Sequence, residues 1–281
     1  MGITVATASG KGGTGKTTLA VNLAMVLTAP VTLLDCDVEE PNAHLFIKPE
    51  STGSVRFGVP VPRVDRDRCI ACGQCARVCR FNAIAVVGGA AVVFPQLCHS
   101  CGGCERACPE GAITETSLEV GTIETGTRGG VTLVTGRLDT GISRAEPLVE
   151  AVRQRVPGNG IVLVDAPPGN GCPVIAAIRR VDYLLLVAEP TMPGLRDLEL
   201  GLELARFLTR RTGVVINRSG VDESPIRELC ARFQTPILTA IPYDTRIAAA
   251  GARAQLVVDA VPEFRDRFVR LWERIEREAK V

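Results

Sequence analysis

The sequence predicts a doubly wound α/β domain with a mostly parallel sheet, interrupted by a cysteine-rich insert. Three observations carry that expectation. Short apolar runs alternate with helical patterns over most of the chain, as in a parallel sheet covered on both faces. A glycine-rich loop follows the first apolar run and precedes the first helical one. Eight of the 11 cysteines fall in two tight clusters between residues 69 and 108, where helical patterning stops.

Residues 3–8, Ile-Thr-Val-Ala-Thr-Ala, are β-branched and apolar and read as a buried strand. Thr17 to Leu27 has helical spacing, and Val31 to Leu34 is a second strand that runs into Asp35-Cys36-Asp37. From about 58 to 116, Pro, Gly and Cys dominate. Alternation then resumes, with strands expected at Val131–Val134, Ile161–Val164, Tyr183–Val187, Val214–Ile216 and Ile237–Ile241. The helices between them include Leu195–Leu208 and Ile226–Phe233. The expected organisation is a discontinuous domain, 1–57 and 117–281, around an insert at 58–116. Near the end, Phe264, Phe268, Leu271, Trp272 and Ile275 share one helical face. The opposite face has nearly balanced charge, so packing on the sheet is expected rather than membrane binding.

Composition narrows the class. With 46% hydrophobic and 22% charged residues in 281, the chain is globular rather than disordered or fibrous. A net charge of +1, with 28 Arg and 4 Lys spread along the length, gives no electrostatic reason to expect nucleic acid as a partner. No apolar run reaches the roughly 18 residues of a membrane span, and Met1-Gly2-Ile3-Thr4-Val5 lacks a signal-peptide pattern. A soluble cytoplasmic protein is expected. In that compartment, clustered cysteines read as metal or iron–sulfur ligands rather than disulfides.

Gly10-Lys11-Gly12-Gly13-Thr14-Gly15-Lys16-Thr17 satisfies G-x-x-x-x-G-K-[ST] between a predicted strand and a predicted helix. Glycines let successive backbone N–H groups point at phosphate oxygens, and the helix N-terminus adds its positive end. Lys16 is expected to reach the β- and γ-phosphates and Thr17 to bind Mg²⁺. Ile161 to Val164 ends in Asp165, followed by Ala166-Pro167-Pro168-Gly169. An acid at the carboxyl end of a buried strand is where a nucleotide's Mg²⁺ sits in an open sheet.

Lys11, inside the loop, makes Lys-Gly-Gly-Thr-Gly-Lys-Thr-Thr resemble the deviant Walker A ATPases, the MinD, ParA, Mrp and nitrogenase iron-protein superfamily. The resemblance runs over essentially the whole chain, through Asp35-Cys36-Asp37-Val38-Glu39-Glu40-Pro41-Asn42 and Glu189-Pro190-Thr191. It implies ATP bound by Gly12, Gly13, Thr14, Gly15, Lys16, Thr17 and Thr18, with Asn217, Pro242 and Asp244 around the base. It further implies that Asp37 positions or deprotonates the attacking water, that Asp35, Asp165 and Thr17 form the Mg²⁺ shell, and that Lys11 reaches a partner's nucleotide across a homodimer with ATP at its interface.

Cys69-x2-Cys72-x2-Cys75-x3-Cys79 recurs 29 positions later as Cys98-x2-Cys101-x2-Cys104-x3-Cys108-Pro109, and Ala83-Ile84 recurs as Ala112-Ile113. Both runs have the spacing of bacterial ferredoxins, and residues 60–115 resemble a two-[4Fe–4S] module. Their grouping is wrong for tetrahedral zinc. In the ferredoxin pattern three thiolates of one loop share a cluster, and the fourth Cys begins a helix and reaches the other. The resemblance therefore implies one cluster on Cys69, Cys72, Cys75 and Cys108, and another on Cys98, Cys101, Cys104 and Cys79. Backbone N–H groups of Gly73, Gly102 and Gly103 are candidate donors to their sulfurs. His99 reads as a neighbour of that site rather than a ligand, and Cys36 and Cys230 as buried apolar residues. Cys172, at the spacing of a bridging ligand in the nitrogenase iron protein, lacks the second cysteine such a cluster needs.

The first functional expectation is an ATPase that couples nucleotide-driven dimer rearrangement to electron transfer through the two clusters, turning over slowly until a redox partner stimulates it. The alternatives are an iron–sulfur or metal-cofactor assembly factor, and a MinD- or ParA-like positioning ATPase with redox-sensing clusters.

Overall fold

The computed structural model describes residues 2–156, 160–208 and 211–280. Its strands are β1 (Ile3–Ala8), β2 (Val31–Asp35), β3 (Glu50–Val64), β4 (Ile84–Val87), β5 (Ala90–Val93), β6 (Ile113–Arg128), β7 (Val131–Leu138), β8 (Ile161–Asp165), β9 (Tyr183–Ala188), β10 (Thr212–Ser219) and β11 (Ile237–Pro242). The α-helices are α1 (Lys16–Val26), α2 (Ala43–Ile47), α3 (Gln74–Val78), α4 (Gly103–Arg106), α5 (Glu146–Arg153), α6 (Cys172–Ile178), α7 (Met192–Leu208), α8 (Ser224–Arg232), α9 (Thr245–Ala252), α10 (Val257–Ala260) and α11 (Arg265–Lys280).

The chain divides into two compact units. The first holds Met1–Ser54, Ile123–Arg137 and Leu148–Val281. Its sheet is mostly parallel, with the order β11-β10-β9-β1-β8-β2-β7-β6-β3. The pairs β10–β11, β9–β10, β1–β9, β1–β8, β2–β8 and β2–β7 are all parallel. Alternate residues of each core strand face opposite sides. Val5, Leu33, Leu163 and Leu185 join one core cluster, while Ala6, Leu34, Val164 and Leu186 are buried on the other face. Burial on both faces is why these strands read as continuous apolar runs. The first cluster also takes Leu19 and Leu23 of α1 and Phe268, Leu271, Trp272 and Ile275 of α11. The apolar stripe of the last helix is therefore core, with Ile275 fully buried.

The second unit holds Val55–Thr122 and Leu138–Pro147. The second of these segments lies outside the expected insert of 58–116. It is bound in by the Asp139 carboxylate, which takes the Arg56 guanidinium at 2.5 Å, by Arg144, which donates to the Cys98 carbonyl, and by Ile142 against Val59, Val61 and Val120. Here β4 and β5 form an antiparallel hairpin. Its two-residue link, Gly88-Gly89, takes φ of +59° and +82°, the sign a tight hairpin turn requires. The fourth cysteine of each run does not begin a helix, contrary to expectation. Cys79 closes α3, and Cys108 follows Ala107, which caps α4. A turn and then β4 or β6 comes next, because Asn82 and Gly111 take φ of +53° and +56°.

Candidate functional site

Residues 9–15 join β1 to α1. Gly15 takes φ of +96°, and a Cβ there would collide with the Asn217 amide, which donates to the Thr14 carbonyl at 2.7 Å. A Cβ on Gly10 would overlap Asp197 of α7. Glycine is thus required at 15 by conformation and at 10 by close approach. Lys16 is 5% exposed, and the buried Thr14 hydroxyl has no hydrogen-bond partner among the described residues. A loop of this kind feeding a helix N-terminus presents backbone N–H groups to phosphate oxygens.

Parallel pairing sets Asp35 of β2 opposite Asp165 of β8, and Asp165 opposite Thr7 of β1. Both carboxylates are fully buried. Thr7 donates to Asp165 Oδ1 at 3.3 Å, while Oδ2 has no partner among the described residues. Burial pushes Asp165 up to about 6, against the Thr17 hydroxyl and Lys16 ammonium beside it. Asp35 is raised well above the usual carboxylate range by burial and by the charge of Asp165. Its two oxygens accept the backbone N–H groups of Asp37 at 3.3 Å and Ala43 at 3.1 Å, which fastens the 37–43 segment to β2.

That segment carries Asp37 into a cavity lined also by Gly12, Gly13, Lys16, Thr17 and Pro168. Burial, followed by the charges of Glu40 and Glu39, raises Asp37 to about 6, while Lys16 acts the other way. A second cavity, which shares Gly13, Gly15 and Thr18 with the first, is lined also by Asn217, Pro242, Tyr243 and Asp244. Asp244 caps α9, accepting the Arg246 backbone N–H at 2.8 Å, and the Arg246 side chain holds its carboxyl below the usual range. The loop, the acids and Asn217, Pro242 and Asp244 are brought together at the carboxyl ends of β1, β2, β8, β10 and β11.

Two residues near the loop received no site role in the sequence reading. Glu189, 4% exposed just beyond β9, lies 3.3 Å from Lys11 Nζ through one oxygen and 2.8 Å from Arg218 through the other. Arg218 also donates to the Gly13 carbonyl at 3.1 Å. The available signal was an acid directly after a buried strand and an arginine directly after Asn217.

In the second unit the eight clustered cysteines divide between two cavities. Cys69, Cys72, Cys75 and Cys108 line one, and Cys79, Cys98, Cys101 and Cys104 line the other. Backbone N–H groups reach three sulfurs: Ala83 to Cys79 at 3.3 Å, Ser100 to Cys98 at 3.4 Å and Ala112 to Cys108 at 3.2 Å. His99 stacks on Phe81 with ring centroids 3.6 Å apart. None of the eleven cysteines is in a disulfide, and among the described residues no three His, Cys, Asp or Glu side chains close on a single metal ion. Cys36 and Cys230 are buried, and Cys172 is exposed at the start of α6.

Residues 5–257 match the family described as the CobQ/CobB/MinD/ParA nucleotide binding domain. An uncharacterised protein of Methanocaldococcus jannaschii is 30% identical over 276 residues, covering 97% of this chain and 96% of its own. An uncharacterised ATP-binding protein of the same organism is 25% identical over 269 residues, 94% of this chain and 83% of its own. The fold is shared with the septum site-determining protein MinD of Pyrococcus horikoshii, solved with Mg-ADP, at a TM-score of 0.59 and 19% identity over 98% of this chain and 96% of that one. It is shared likewise with the cell division ATPase MinD of Pyrococcus furiosus, at 0.59 and 21% over 99% of each. With the phosphate loop, the buried acids and a match across nine-tenths of its length, the chain belongs to the CobQ/CobB/MinD/ParA family of nucleotide-binding domains.

Proposed function

We propose that this ATPase works as an ATP-gated electron carrier, its P-loop domain driving a homodimer rearrangement and its inserted module, 58–116, carrying two [4Fe–4S] clusters. The observation that carries the reading is the division of eight thiols into two cavities of four. Each set takes three cysteines from one run and the fourth from the other. This is the cross-ligation of two-cluster ferredoxins. A cuboidal cluster spreads its four thiolates over separate irons, a wider donor set than one tetrahedral ion requires. Such clusters supply one-electron transfer when bound.

The remaining roles belong to the chain. Backbone N–H groups of Gly12, Gly13 and Gly15 and the Lys16 ammonium receive the phosphates. Asn217, Pro242 and Asp244 enclose the base. The orphan Asp165 oxygen beside Thr17 suits a divalent cation. Asp37 orients the attacking water and takes its proton. Lys11 exchanges Glu189 for the partner's nucleotide when two copies meet, so Lys11→Ala should lose ATP-induced dimerisation while still binding nucleotide. The buried face of α11 speaks against a MinD-type membrane helix, since its apolar residues are already committed to the core.

The deciding test is the midpoint potential of the clusters, measured anaerobically with and without Mg-ATP in the Asp37→Asn protein. Coupled sites must show a shift, and ~59 mV corresponds to a tenfold change for a one-electron couple. A shift of that order supports gating. Unchanged potentials would remove the electron-transfer coupling and leave cluster delivery to be tested by transfer assays.

A further inference from the structure

The two cysteine runs share one backbone. Ala71 and Ser100, 29 positions apart, take φ of +55° and +54°, and Gly73 and Gly102 take +74° and +68°. The N–H···S bonds of Ala83 to Cys79 and Ala112 to Cys108 are also counterparts, at 3.3 and 3.2 Å. With these features in common, side chains are one source of difference between the two cavities, beside the Ser100 N–H to Cys98 bond of the second loop.

One difference is a hydroxyl. Ala71 lines the cavity of Cys69, Cys72, Cys75 and Cys108, and Ser100 lines that of Cys79, Cys98, Cys101 and Cys104. Ser100 Oγ is buried and has no hydrogen-bond partner among the described residues. Leaving a buried hydroxyl unpaired is unfavourable, so an acceptor is to be expected there. Four thiolates and the inorganic sulfides of a cluster are acceptors of the right kind.

We infer that the Ser100 hydroxyl donates an O–H···S hydrogen bond to the cluster held by Cys79, Cys98, Cys101 and Cys104 and raises its reduction potential. The inference rests on the cluster reading above. Reduction places an additional negative charge on the cluster, and a donor aimed at its sulfur stabilises that charge more than the oxidised form. Glu115, at the same cavity, acts in the opposite sense, but it is exposed and stays in place in the comparison below. The first loop, with a methyl group at Ala71, lacks this device.

The internal repeat supplies the control. Alanine already occupies the same backbone conformation at 71, so Ser100→Ala is compatible with the loop, and Ala71→Ser installs the hydroxyl at the other site. Full-length protein and both variants are reconstituted anaerobically, assayed for iron and acid-labile sulfide, and titrated with dithionite under EPR. Ser100→Ala should lower one of the two potentials by roughly a tenfold change in the reduction equilibrium, ~59 mV, and leave the other unchanged. Ala71→Ser should raise that other potential. Unchanged potentials in a fully loaded Ser100→Ala protein would overturn the assignment, as would loss of its cluster, which would make the hydroxyl structural. If the unmodified protein takes up no iron and sulfide, the cluster reading itself fails, and that is visible before any titration.

Discussion

Asp37 holds its proton up to about pH 6 because burial and the neighbouring Glu39 and Glu40 penalise the carboxylate more than Lys16 rewards it. A step that needs the ionised form weakens as pH falls through that value. We therefore expect ATP hydrolysis to show an acid limb near pH 6, and Asp37→Asn to abolish turnover while leaving nucleotide affinity within a few-fold. Substantial turnover in that variant would exclude the role. Tyr183 offers a test without nucleotide. Its ring is 1% exposed, its hydroxyl lacks a partner among the described residues, and that oxygen occupies the space a side chain at Gly213 would need. Gly213→Ala should destabilise by ~1–3 kcal/mol, and adding Tyr183→Phe should recover part of the loss in denaturant titrations. An additive pair would show that the close approach is not the cause. The phosphate-loop motif stood out in the sequence because its residues are consecutive. The Lys11–Glu189–Arg218 group did not, since only the strand order sets residues 11, 189 and 218 side by side.

At the scale of elements, α11 and the long strands β3 and β6 contrast. The stripe of Phe268, Leu271, Trp272 and Ile275 has helical spacing and was legible. Leu271, 1% exposed between α11 and the sheet, should cost ~2–5 kcal/mol on truncation to alanine, whereas Arg270→Ala on the polar face should cost little. Comparable losses for the two would refute the packing role. The 15-residue strand β3 and the 16-residue β6 were missed. β3 contains two glycines and two prolines, and its first seven residues are exposed. Without sustained apolar alternation, neither announces a strand, and the pairing of β3 with the distant β6 is not visible locally.

For the whole molecule, the buried acids make stability and nucleotide binding two sides of one balance. Asp35, Asp37 and Asp165 are all raised, with burial as the leading cause. The folded chain then retains protons that the unfolded chain releases near pH 4, so these groups contribute stability at low pH that is lost as pH rises through about 6. Mg²⁺ with nucleotide favours the ionised carboxylates. Its gain in Tm should therefore be larger at about pH 7.5 than at about pH 5, and an equal gain at both would contradict the balance.

The pairing of Lys11 with Glu189 also has an analytical consequence. Lysine occurs only at 11, 16, 48 and 280, so half of the side-chain amines belong to the phosphate loop. Lys16 is nearly sealed, while the Lys11 side chain is 38% exposed. Amine-acylating reagents followed by mass spectrometry would therefore report on this loop against a background of two other lysines. Lys11 thus offers a footprinting probe, and a change in its labelling rate on adding Mg-ATP would test whether it leaves Glu189.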